Sequence, residues 1–127
     1  MDIPTVDWSW DASAIRIVDG DTLDVVIDCG FHATRLERIR LLGINCPEMS
    51  EVAGRKAKEY TMQWINDAWI PNWSLVIQTH KTDAFGRYLA MIWRKTDKRC
   101  LNDDLVAAGH AVPYMVDVTK KGKVNGN

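Results

Sequence analysis

The sequence predicts an α+β, mainly β fold: a five-stranded OB-type Greek-key barrel with a helix between strands three and four and a second short helix towards the C-terminus. Three observations carry this reading. Five segments read as short strands, the first three alternating apolar and polar residues with the period of a half-buried strand, one segment switches to the three-and-four spacing of a helix, and the order is three strands, helix, two strands, helix. At 127 residues the chain has room for one core, so residues 1–127 are expected to form one domain.

The first two strands lie in "AIRIVDGDTLDVVID". Ile15 and Ile17 alternate with Arg16, while Leu23, Val25 and Ile27 alternate with Asp24, Val26 and Asp28; Asp19 and Gly20 supply turn chemistry between them. After a polar stretch containing Gly30, "TRLERIRLL" gives a third strand. Ile39 and Leu41 share one face of it, so Arg40 points away from the side they bury. From Ser50 onward Ala53, Ala57, Tyr60, Trp64 and Ala68 form the stripe of an amphipathic helix, with Pro71 soon after its end. "NWSLVIQTH" and "RYLAMIW" read as two more strands around the polar loop "KTDAFG". "LNDDLVAAG" reads as a short helix with Leu101, Leu105 and Ala108 inward and Gly109 as its cap. The motif-bearing core spans about residues 13–115. Residues 116–127 are polar and glycine-containing, and a mobile tail is expected there.

Composition narrows the function classes. With 46% hydrophobic and 26% charged residues and no repeat, the chain is an ordinary globular one. The start "MDIPTVDWSWDAS" has no basic head followed by an apolar run, and nowhere do 18 apolar residues run together, so a soluble, unprocessed chain is expected with no membrane contact. Cys29, Cys46 and Cys100 are odd in number and match no zinc spacing, which fits free thiols in the cytoplasm. A net charge of −1 argues against a protein that coats nucleic acid through a broad basic face, but not against a focused anionic site.

Four pieces carry the chemistry: "DGDT" at 19–22, "RLLGINCPE" at 40–48, "TDAFGRYLA" at 82–90 and "LNDDLVAAGHAVPY" at 101–114. Each alone has a bland reading, as a turn, a solvated strand arginine, a helix start or a cap. Together, in this order and at strand ends, they supply carboxylate, guanidinium and amide groups suited to a phosphodiester. From about Ile15 to Tyr114 the chain resembles the staphylococcal nuclease family, whose signatures are these four motifs.

The resemblance implies roles position by position. Asp21 and Asn45 would bind the metal with side-chain oxygens and Cys46 with its backbone carbonyl; Asp19 would stand behind them. Arg40 and Arg87 would clamp the scissile phosphate, both on exposed ends of strands and loops, and Asp83 would shape the loop presenting Arg87. Glu48 would orient or deprotonate the attacking water. Phe85 and Tyr114 are candidates to stack on a base. The implied cofactor is Ca²⁺, with Mg²⁺ or another hard divalent ion as a substitute, because oxygen-only ligation suits hard cations. The implied substrate is DNA or RNA, with single strands favoured, and the protein is expected to act as a monomer. His32, His80 and His110 fit no ligand spacing.

Two further readings stand beside this one. A binding module of the same family would keep the barrel without turnover, although an overall acidic chain is a poor non-catalytic binder. An interaction protein could use Trp8, Trp10, Trp69 and Trp73 as an exposed patch.

Overall fold

A computed structural model describes residues 1–4, 6–82 and 84–114; Asp83 and the 116–127 tail lie outside the described residues. Five strands close into a barrel in the order β1–β2–β3–β6–β5. They are β1 (Ser9–Asp19), β2 (Thr22–Asp28), β3 (Thr34–Leu41), β5 (Leu75–Thr82) and β6 (Tyr88–Arg94). Helix α1 (Val52–Asp67) stands between β3 and β5, and α2 (Leu101–Ala107) follows β6. This is the expected OB-type order. The meander β1–β2–β3 is antiparallel, with Leu23 opposite Ile39 and Ile27 opposite Arg35, and β5 pairs antiparallel with both β1 and β6. The one parallel seam joins Ile39–Leu41 to Tyr88–Ala90 and closes the barrel.

The core takes Leu23, Val25, Ile39 and Leu41 by the inward alternation read from the sequence, joined by Leu75 and Ile77 of β5 and Ala90 and Ile92 of β6, all buried. Corrections fall where alternation breaks. β1 begins at Ser9, earlier than expected, and the register shifts between Ala14 and Arg16, which leaves Ile15 62% exposed instead of inward. Of the stripe expected in α1, Ala57, Trp64 and the C-cap Ala68 are buried and Tyr60 is half-buried, whereas Ala53 is exposed; Gly54 and Thr61 complete the buried face. In α2 Leu101 and Leu105 are buried as expected, whereas Ala108 is exposed. Gly109 does cap that helix: at φ +81° it sends its N–H to the Val106 carbonyl at 3.0 Å, and the His110 N–H reaches the Leu105 carbonyl at 2.9 Å.

Two elements had no sequence signal. β4 (Ile44–Asn45) pairs antiparallel with β7 (Val112–Pro113), placing Ile44 opposite Pro113 and Asn45 opposite Val112. Two-residue strands are too short for periodicity to register. The pair ties the segment after β3 to the end of the described chain. Among the described residues no helix is long and apolar enough to cross a membrane.

Candidate active site

The β1–β2 turn brings Asp21 against the end of β3. Gly20 in that turn has no positive φ; its value is closeness, since a Cβ there would sit 2.8 Å from both the Cys46 Sγ and the Ala57 Cβ. The buried Thr61 hydroxyl donates to the Gly20 carbonyl at 2.7 Å, so α1 fixes the turn from behind. The same helix fixes the Glu48 loop: a Cβ on Gly54 would lie 1.9 Å from the Glu48 carbonyl oxygen, so only glycine lets the loop pack there. Small and polar residues do this positioning, which is why an apolar stripe could not reveal it.

Asp21, Arg40, Asn45 and Cys46 come together. Asp21 is 6% exposed; its Oδ2 accepts the Cys46 backbone N–H at 2.8 Å and lies 3.3 Å from Arg40 Nη1, while the Thr22 hydroxyl is 3.3 Å from Oδ1. Arg40 Nη1 also donates to the carbonyls of Leu41 at 2.8 Å and Ile44 at 3.0 Å, and Nη2 to the Asn45 amide oxygen at 3.1 Å. The Arg40 side chain is only 11% exposed, which corrects the expectation of an exposed strand end. Asn45 therefore presents its oxygen to a cation, not to its own turn. Asp19 stands behind, its carboxylate accepting the Asp21 N–H at 3.2 Å.

Burial pushes the Asp21 carboxyl up to about 6, helped by its hydrogen bond to Asp19 and opposed by the Cys46 N–H and the Arg40 charge. Burial, then the charges of Asp21 and Asp19, push the Cys46 thiol up to about 12, so it is neutral and unreactive near pH 7.

The remaining candidates stand on segments around this cluster. Glu48 is exposed on its loop. Arg87 is partly exposed and immediately precedes Tyr88, the seam partner of Ile39; its guanidinium lies 5.3 Å from the Phe85 ring centroid. Tyr114 is 48% exposed, and its backbone N–H donates to the Gly43 carbonyl at 2.8 Å, beside β4.

Asn102 was read only as part of a motif. It is 1% exposed, and its carboxamide donates to the carbonyls of Leu42 at 2.9 Å and Ala90 at 3.1 Å while accepting the Ile92 N–H at 3.1 Å. It stitches the seam on which Arg40 stands. Nearby in α2, burial would raise the Asp104 carboxyl, but a bidentate Arg99 and the Trp64 indole N–H at 2.9 Å hold it below the usual range.

The oxygen atoms gathered at Arg40, namely the Asp21 carboxylate and the Asn45 amide, already hold one positive group. As oxygen donors they suit a calcium- or magnesium-type ion better than zinc or copper, but among the described residues no three His, Cys, Asp or Glu side chains converge into a metal cluster.

Comparison with known proteins gives two findings. The family model described as staphylococcal nuclease homologue matches residues 38–125, beginning just before the Arg40 motif. Over 107 residues the chain is 28% identical to Protein ParB of Escherichia coli, an alignment covering 79% of this chain and 55% of that protein. The chain thus spans about half the length of that curated relative. With the barrel, the Asp21–Arg40–Asn45 cluster and a family match over more than half of its length, the chain belongs to the staphylococcal nuclease homologue family.

Proposed function

We propose that this protein is a divalent-ion-dependent endonuclease that hydrolyses phosphodiester bonds of DNA or RNA. The observation that carries the reading is the convergence of Asp21, Asn45 and the Arg40 guanidinium within 3.3 Å contacts at the barrel seam. Arg40 and Arg87 bind the phosphate and stabilise the charge that concentrates on its oxygens in the transition state. Glu48, exposed on a loop held by Gly54, orients the attacking water and takes its proton. Asp21, the Asn45 amide and the Cys46 carbonyl would hold calcium, which supplies further electrostatic stabilisation at the same phosphate. Asp19 keeps Asp21 in place.

The test is cleavage of single- and double-stranded DNA and RNA with calcium, magnesium or chelator. Cleavage of at least one substrate that stops on chelation supports the reading; full activity in excess chelator removes the metal role. A binding module of the same fold is favoured by two observations: Arg40 is already engaged by four oxygens, and burial makes Asp21 costly to ionise. Strand binding without cleavage under any ion would select it.

A further inference from the structure

The barrel closes unevenly. Of β3, only Ile39–Leu41 pair with β6, so the first half of β3 has β2 on one side and no strand on the other. Period two puts Arg35 and Glu37 on the same inward face as Ile39 and Leu41. There the barrel opens into a cavity of about 260 Å³, lined by Trp8, Trp10, Cys29, Arg35, Glu37 and Tyr88 among others. Ordinary small-molecule sites run to roughly 300–1,000 Å³. This one has room for a single ring system.

Its rim holds an aromatic residue that burial does not explain. Trp8 is 61% exposed and sits at φ +55°, a conformation that bulky residues rarely adopt. Thr79 holds it there: the Thr79 N–H and hydroxyl reach the Trp8 carbonyl at 3.1 and 3.3 Å, and the Trp10 indole N–H donates to the same hydroxyl at 3.3 Å. The two indole centroids are 6.4 Å apart. From β3, Arg35 and Glu37 line the same mouth and form an ion pair.

We propose that this mouth is a subsite for one unpaired nucleobase of a single strand whose phosphate lies at the arginine site; it rests on the proposed function only for that strand's direction. The two places adjoin across the seam: Tyr88 lines the mouth and pairs with Ile39, the chain neighbour of Arg40, and Arg87 directly precedes Tyr88. Indole and phenol faces stack on any base. Glu37 offers an acceptor to exocyclic amino groups, and Arg35 donates to ring nitrogens and carbonyls. A purely apolar guest would leave that ion pair desolvated and unused. A paired base is excluded, because its faces are already stacked.

The test uses a fluorescent oligodeoxycytidylate in excess chelator, read by anisotropy, and maleimide labelling of Cys29, the half-buried thiol in the mouth; Cys46 and Cys100 are buried. Trp8→Ala should weaken binding roughly five- to a hundredfold, the range set by loss of one stacking contact. Saturating strand should slow Cys29 labelling of the unaltered protein at least fivefold, a readout that stands even if the variant does not fold. Equal affinities, unchanged labelling, or no binding at all would overturn the subsite, whatever calcium-dependent cleavage is found. Protection of Cys29 without cleavage under any ion would retire the hydrolase and keep the subsite.

Discussion

Replacing Asp21 by asparagine should stabilise the fold while removing its function. In the folded protein the carboxyl titrates at about 6 instead of 3.8, because burial and the Asp19 hydrogen bond outweigh the help of the Cys46 N–H and Arg40. The folded pKa is raised, so the native state holds its proton more tightly than the unfolded chain does. Stability attributable to this group is therefore greatest below pH 3.8, falls as pH rises through the window from 3.8 to about 6, and stays low above it. At 1.36 kcal/mol per unit the shift corresponds to about 3 kcal/mol at neutral pH. Asparagine mimics the neutral acid and escapes that penalty, but it forfeits the attraction of Arg40, so a gain of about 1–3 kcal/mol at pH 7 is expected. Urea titrations of both proteins from pH 4 to pH 8 measure it: the gap should be near zero at pH 4 and open through pH 6. Saturating calcium should stabilise the unaltered protein and leave Asp21→Asn unmoved. A gap independent of pH, or a variant less stable at pH 7, would refute the reasoning.

The other substitutions separate grip from folding. Arg40→Ala removes the donor to the Leu41 and Ile44 carbonyls and should cost about 1–3 kcal/mol in denaturation as well as activity. Arg87→Ala should show mainly a loss of rate, on the order of 10²–10³; a folded Arg87→Ala protein with near-normal cleavage would rule out the two-arginine clamp. Asn45→Asp adds a charged ligand and should tighten calcium about tenfold or more in calorimetry, with and without a nucleotide bisphosphate; equal affinities throughout would remove Asn45 from the metal shell. Gly54→Ala puts a methyl group 1.9 Å from the Glu48 carbonyl oxygen, so thermal melts should show a loss of about 1–3 kcal/mol or more, as overpacking gives. Unchanged stability and activity there would contradict the docking of the Glu48 loop on α1.

Strands with clean alternation are legible in the sequence: Leu23–Val25–Ile27 and Ile39–Leu41 set which way Arg40 faces. What alternation could not give was how deep that face lies. Arg40 is on the side opposite the core, yet the Ile44–Asn45 segment covers it, and that segment is held by a two-residue strand near residue 112. Ile15 was misplaced because a bulge reverses the count of inward residues. Gly54 and Thr61 escaped notice in α1 because hydrophobic spacing ignores residues chosen for smallness or for one hydroxyl. The motifs located Asp21 and Asn45; only the fold revealed that one guanidinium joins them.

The short seam between β3 and β6 also has a meaning in time. The β1–β2–β3 meander joins neighbours along the chain, whereas Ile39 must find Tyr88 across the whole of α1 and β5. Contacts so distant in sequence are the slow ones, since the chain between must be confined before they form. Arg40 and Arg87 stand on opposite sides of that long-range contact. Before it forms the chain carries two unrelated arginines, so the proposed phosphate clamp depends on a join that no local stretch of chain can make alone.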